Sequence, residues 1–275
     1  MALFINTNIN SLTVQRHLEG SSLQVSTAIE RLASGLRINN AFDDAAGLAI
    51  ADKLGRDVRV ITQAIRNAND GLSALAIAEK VLGTNTDIVT RLSELSSEAA
   101  TGTVSDTQRS AIQNEFTALL SEITRLSLVT SFNGVNLLSA GTTVTIQVGL
   151  DGSTNSQITF QTVDASLSGL FAGQTSIAAS SQSSAQSALG ILTSAIANIA
   201  QTRGTLGAFE SRLMSAITTL RIQRESFAAS ESRIRSADVA AETGNLTRAQ
   251  ILQQAGVAVL AQANQQPALA LALLQ

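Results

Sequence analysis

The sequence predicts a mostly α-helical protein: a long antiparallel helical bundle with a small β-hairpin element in the middle of the chain. Three observations carry this. From Ala185 to Ile234 an apolar residue recurs every seventh position: Leu192, Ile199, Leu206, Leu213, Leu220, Phe227 and Ile234. The sole proline of the 275 residues, Pro267, lies near the end, so nothing breaks a long helix before it. Helical rhythm is lost only between about 133 and 184, where Gly, Ser and Thr dominate and short stretches alternate with period two.

The seven-residue repeat organises the rest. Its companion row (Leu189, Ile196, Arg203, Glu210, Ile217, Arg224 and Glu231) is half apolar and half charged. Apolar positions three and four apart mark a helix with a narrow seam toward another helix. About 50 residues make a rod roughly 75 Å long, and such a rod needs partners to bury its stripe. Hydrophobic residues are 44% of the chain but aromatics only 3%. Aliphatic residues and alanine therefore form the core, which suits close-packed helices. Charged residues are 14%, less than a surface left in water usually carries. The rest of the surface is Ser, Thr, Asn, Gln and Ala, suited to packing against a copy.

These numbers exclude several functions. The net charge of -3 gives no basis for nucleic acid or anionic membrane as a partner. With no cysteine there is no disulfide framework, thiol nucleophile or thiolate metal site. His17 is the only histidine and reads as a polar residue on a helix face. No cofactor is expected. Residues 1–8 lack a basic region and a long apolar run, so they are not a general secretory signal.

Taken in order, residues 1–42 form an N-terminal helical arm. No side chain from Met1 to Gln15 is charged. Ile5, Ile9 and Leu12 fall at helical spacing, and Ile29, Leu32 and Leu36 continue it up to Asn39-Asn40. Bundle helices occupy 43–132. Leu54, Val58, Ile61, Ile65, Ala68, Leu72, Leu75 and Leu82 give one stripe, with Glu79 in one slot. After Thr84-Asn85-Thr86-Asp87 the rhythm resumes at Ile88, Leu92, Leu95 and Ala99. Thr101-Gly102-Thr103 ends this run. Ser105-Asp106-Thr107-Gln108 reads as a capping box opening a helix striped by Ile112, Phe116, Leu119, Ile123 and Leu126.

Asn133-Gly134 signals a turn, and 133–184 reads as a short β or irregular segment. Residues 144–148 and 157–163 alternate with period two around Leu150-Asp151-Gly152-Ser153-Thr154-Asn155, which predicts a hairpin. A flexible linker is the alternative. Residues 185–235 form the C-terminal bundle helix and 236–275 a C-terminal arm, uncharged from Ala249 onward. A membrane helix fails there, because seven Gln and Asn residues interrupt the apolar run. Two uncharged arms at opposite ends suggest a dry site where both ends pack, with copies or with each other. In an isolated chain such arms are expected to be disordered, since short helices without a packing partner are marginal.

At this point the chain resembles the bacterial flagellins, the subunits of the flagellar filament. The N-terminal motifs stand as Ile5-Asn6-Thr7-Asn8, Ala28-Ile29-Glu30-Arg31-Leu32-Ala33-Ser34-Gly35-Leu36-Arg37-Ile38-Asn39, Asp43-Asp44-Ala45-Ala46-Gly47-Leu48-Ala49-Ile50-Ala51 and Arg66-Asn67-Ala68-Asn69-Asp70-Gly71. The C-terminal ones are Arg248-Ala249-Gln250-Ile251-Leu252-Gln253-Gln254-Ala255 and Leu260-Ala261-Gln262-Ala263-Asn264-Gln265-Gln266-Pro267, closing on Leu273-Leu274. The central segment is much shorter than in many flagellins, and Val239 stands where many have tyrosine.

The resemblance implies a homopolymer and no enzyme. The two arms would pair as a terminal coiled coil in the inner tube of an extracellular filament, around a channel. Ile5, Ile9, Leu12, Ile29, Leu32, Leu36, Ile251, Leu252, Leu260 and Leu273 would pack in its core. Subunits would leave unfolded through the flagellar type III export apparatus and add at a distal cap protein. An export chaperone would cover residues such as Leu252, Leu260, Leu269 and Leu273. Arg91, Leu95 and Glu115 match positions through which many flagellins engage the vertebrate flagellin-sensing Toll-like receptor. Subunit contact is expected as their main role, and Ser93 replaces a basic residue of that motif. Asp43-Asp44 is expected to complement a helix N-terminus. The rival readings are a hook–filament junction protein of the same superfamily, a signalling coiled-coil hairpin and a helical-bundle enzyme.

Overall fold

In the computed structural model, residues 7–139, 141–174 and 176–272 are described, with side chains up to residue 265. Six α-helices and four short strands follow in the order α1 (Ile9–Ser34), α2 (Ala45–Ala99), α3 (Asp106–Val129), β1 (Ser131–Phe132), β2 (Val135–Asn136), β3 (Thr143–Gln147), β4 (Gln157–Gln161), α4 (Leu167–Leu170), α5 (Gln182–Arg235) and α6 (Val239–Ala272). The chain divides into two compact units: Met1–Arg56 with Ser226–Gln275, and Asp57–Glu225.

In the first unit α1 and α6 pack against each other along their length. Asn8 caps α1 by accepting the Ser11 N–H, and its amide donates to the Ala263 carbonyl at 2.8 Å. At the other end of α1, Arg31 lies 3.9 Å from Glu242. Low numbers on one helix thus meet high numbers on the other, which makes the pair antiparallel. In the structure both arms are helices, and each supplies a packing face to the other. The two loops that leave them are stitched together. Arg37 N–H donates to the Arg235 carbonyl at 2.7 Å, and Ala237 N–H to the Gly35 carbonyl at 3.0 Å.

In the second unit α2 carries an unbroken seam. Ile61, Ala64, Ala68, Gly71, Leu75, Ala78, Leu82, Asn85, Val89, Leu92, Ser96 and Ala99 alternate three and four apart, and all are buried. Strict alternation over this length keeps one face turned to its partners. The helix runs straight through Thr84-Asn85-Thr86-Asp87, where the apolar rhythm lapses. The Thr84 and Thr86 hydroxyls donate back to the Lys80 and Leu82 carbonyls, so these polar residues are satisfied inside the helix.

α5 presents Leu192, Ile199, Leu206, Leu213 and Leu220, all buried, whereas Phe227 and Ile234 of the same seven-residue repeat are half-buried. Ala185, Ala188 and Ala195 are buried beside it, and of the mixed companion row Ile217 is buried. Small residues there let the helices approach closely, while Arg203 of the mixed row lies at the surface and holds Glu79 of α2 at 3.0 and 2.6 Å.

α3 opens with the expected capping box: Ser105 and Gln108 exchange side chain and backbone hydrogen bonds. Its Ile112, Phe116 and Ile123 are buried. Arg109 is buried too. Its guanidinium donates to the Ala99 and Thr101 carbonyls at 3.0 and 3.1 Å, closing the free C-terminal end of α2. After α3, Asn133 (φ 49) and Gly134 (φ 80) form the tight turn of the β1–β2 pair. Two consecutive left-handed residues match the twist of a two-residue hairpin.

β3 and β4 form the expected hairpin, with Thr143 opposite Gln161 and Gln147 opposite Gln157. Its inner face carries Ile146, Ile158 and Phe160. It sits on α2 and α5. Ile146 lies against Gly71 and leaves no room for a Cβ there. Asn67 donates to the Gln147 carbonyl at 3.2 Å, and Phe160 meets Phe209 at 6.1 Å between ring centres. The linker alternative fails. Leu137, Leu138, Leu170, Phe171 and Ile177 are buried, and the Ala179 N–H and Leu170 carbonyl are held by Gln113 of α3 and Asn198 of α5.

Candidate functional site

The α1–α6 pair buries little of its own apolar surface. Among the described side chains its buried residues are small: Ser11 and Ala28 on α1, Ala249 and Ala263 on α6. The larger apolar residues point outward. Ile9 is 57% exposed, Leu12 56%, Ile29 51%, Ile251 60% and Leu252 49%. Leu32, Leu36 and Leu260 are half-buried. Ile5 and Leu273 lie outside the described residues, as does the side chain of Leu269. Leu23, Val257 and Val259, which the sequence reading did not single out, are as exposed as the rest. An arm pair that meets through Ala and Ser and leaves Ile, Leu and Val in water has two apolar flanks. Surface of this kind, when contiguous, marks an interaction site.

Polar ties fix the arms' register while the flanks remain open. Besides Asn8–Ala263, the Ser11 hydroxyl donates to the Asn264 amide oxygen at 2.9 Å. Arg31 reaches both Asp43 at 3.4 Å and Glu242. Asp43 accepts the N–H groups of Asn40 and Asn39 at 3.0 and 3.2 Å. Those hydrogen bonds, Asn40 foremost, and the Arg31 charge hold its carboxyl below the usual range. Asp44 caps α2 through the Gly47 N–H at 2.8 Å. The adjacent acids thus divide the work: Asp44 serves the helix N-terminus, and Asp43 locks the preceding loop.

On the second unit, Arg91 donates to Glu115 across α2 and α3 at 2.9 Å and to Glu94 at 3.0 Å. Both carboxylates push the guanidinium pKa upward. Arg91 and Glu115 are 49% and 46% exposed. Leu95, one turn from Arg91, is only 2% exposed and packs inside the bundle. The structure therefore joins Arg91 and Glu115 at the surface and sets Leu95 beneath it.

Among the described residues no group of three His, Asp or Glu side chains could hold a metal ion, and no helix is long and apolar enough to cross a membrane. His17 is exposed on α1.

Comparison with known proteins gives the family. Residues 5–143 match the bacterial flagellin N-terminal helical region. Residues 189–274 match the bacterial flagellin C-terminal helical region. This chain belongs to the bacterial flagellin family. It is 37% identical to flagellin FlaB2 of Treponema pallidum, over 99% of this chain and 100% of that protein. It is 36% identical to the flagellar filament 30.7 kDa core protein of Treponema maltophilum, over 96% and 97%. The crystal structure of Bacillus cereus flagellin matches 56% of this chain and 88% of that one, at 26% identity and a TM-score of 0.51. Flagellins are structural rather than catalytic proteins. In this flagellin the two matched regions hold the arm pair and the bundle helices. The stretch between them holds β3 after Thr143, β4, α4 and the start of α5. Val239 opens α6 and is 58% exposed.

Proposed function

We propose that this chain is a structural subunit that self-assembles into the helical filament of a bacterial flagellum and serves motility. The observation that carries this is the outward apolar surface of the α1–α6 pair. Burying Ile9, Leu12, Ile29, Ile251 and Leu252 against neighbouring copies removes apolar area from water and drives polymerisation. Family membership supports a filament role, and relatives named as filament core proteins favour it over the junction protein. The chain catalyses no reaction in this reading.

The finer parts rest on the family and on placement in the fold. Subunits leave the cell unfolded through the type III apparatus, held by a chaperone that covers the apolar face of α6, and add at a distal cap outside the cell. Arg91 and Glu115, supported from beneath by Leu95, form a contact used between subunits and by the vertebrate receptor. Small slides between packed helices would let the filament change supercoil form.

Electron microscopy with circular dichroism tests the core of this. The full chain and a truncation lacking residues 1–40 and 240–275 are each incubated with a polymerising salt. The full chain is expected to give thin tubes and the truncation to stay monomeric. Tubes from both, or from neither, would sink the role given to the arms.

A further inference from the structure

Asn133-Gly134 is the one Asn-Gly pair in the chain, and both residues stand in the open. They form the turn between β1 and β2, Asn133 at φ 49 and Gly134 at φ 80, and both are exposed. Among the described residues the Asn133 side-chain amide has no hydrogen-bond partner, and no acceptor holds the Gly134 N–H. The two Asn-Ser pairs of the chain differ. After Asn10, the Ser11 N–H donates to the Asn8 side chain at 3.1 Å; after Asn155, the Ser156 N–H donates to the Ser153 carbonyl at 3.0 Å.

The difference bears on covalent chemistry. A backbone nitrogen that has lost its proton can attack the side-chain amide carbon of the preceding asparagine. Glycine, without a Cβ, hinders that approach least. The Gly134 nitrogen bonds to Asn133 Cγ, the Cγ–Nδ2 bond breaks, and ammonia leaves with the proton the nitrogen gave up. The cyclic imide then takes up one water. Water at Cγ gives aspartate. Water at the backbone carbonyl carbon gives isoaspartate, whose main chain runs through Cβ and is longer. The backbone must rotate for the attack, and this turn can yield. Two residue pairs hold it, Ser131 with Asn136 and Phe132 with Val135, and a lone two-stranded hairpin is marginal in water.

We propose that Asn133 is a site of spontaneous modification, where this turn converts to aspartate and isoaspartate. Isoaspartate lengthens a turn whose two residues set the strand register, and that register bears on α3. The Asn136 side chain donates to the Ser127 and Leu128 carbonyls at 3.1 and 2.9 Å, and the Leu137 N–H to the Thr130 carbonyl at 3.0 Å. The isoaspartyl turn therefore loosens the C-terminal end of α3. The proposal stands independently of the filament reading.

Peptide masses of the full-length chain, followed during incubation in warm, mildly alkaline buffer, test it. Fragmentation that separates isoaspartate from aspartate locates each product. Asn133 should be modified about tenfold or more faster than Asn10 or Asn155, whose neighbouring N–H must first give up a hydrogen bond. Equal rates at the three sites overturn the proposal. So does a folded chain that keeps Asn133 intact while the urea-unfolded chain loses it, because the turn then protects its own amide. Hydrogen exchange reads the consequence. The Leu137 amide should exchange about tenfold faster in the isoaspartyl form and stay near its natural rate in Asn133→Asp, which adds the charge alone. Unchanged exchange in the isoaspartyl form would overturn the loosening of α3.

Discussion

Replacing Ile251 and Leu252 together by alanine separates assembly from folding. Both lie on α6, 60% and 49% exposed, so the isolated chain covers only about half of each. Fully burying a Leu or Ile side chain is worth about 1.5–3 kcal/mol. About half of each remains to be covered, so assembly stands to gain about 1 kcal/mol per residue. The double variant then loses about 2 kcal/mol per added subunit, roughly a thirtyfold rise in the critical concentration. Sedimentation of polymer from serial dilutions gives that concentration, and thermal circular dichroism of the monomer gives its stability. The account expects the first to rise and Tm to fall by less than about 8 °C, at about 2–4 °C per kcal/mol for the half already covered. A critical concentration within about twofold of the natural chain would refute the burial of this face on assembly. A fall in Tm like that of a core variant would refute its exposure in the monomer.

Three further outcomes follow from the same contacts. Phe116→Ala removes a fully buried ring from α3 and should cost about 3–5 kcal/mol in urea unfolding. Arg109→Met keeps the apolar stem but strips the donors from the Ala99 and Thr101 carbonyls; a loss of about 1–3 kcal/mol by thermal unfolding is expected. Asp43 has a folded-state pKa below its ordinary value, owing first to the Asn40 N–H and then to Asn39 and Arg31. A depressed carboxyl contributes stability above the unfolded pKa of about 3.9 and loses it as pH falls through the folded value. Asp43→Asn should therefore flatten the acid limb of stability below about pH 4, read by unfolding at a series of pH values, with little change in slope above it.

How legible this was depended on residue size and on the reach of each signal. The four buried seam leucines and one isoleucine of α5, the Ser105–Gln108 capping box, the Asn133-Gly134 turn and the β3–β4 pairing all come from local chemistry, and each is in place. Small residues were harder to read. Ala64, Ala78, Ala188 and Ala195 are buried at the centre of helix interfaces, yet an alanine is equally at home on a surface. The sequence favoured larger neighbours such as Val58, Leu72 and Leu189, which are only half-buried. Asn85 was read as part of an interruption; packing on all sides overrode it and kept α2 continuous. Leu95 shares a turn with Arg91, but spacing alone does not say which side of that turn faces the bundle. The arm stripes were visible as apolar rhythm. That their larger residues stay partly or largely exposed while Ala28, Ala249 and Ala263 are buried depended on how the two ends pair, a contact across nearly the whole chain.

The most direct test is a cryo-EM reconstruction of the polymer grown from this chain. The account predicts that α1 and α6 keep their antiparallel pairing, with Asn8 still at Ala263, and that Ile9, Leu12, Ile29, Ile251 and Leu252 pack between copies. A filament in which those side chains face solvent, or in which the arms part and stay apart, would contradict it.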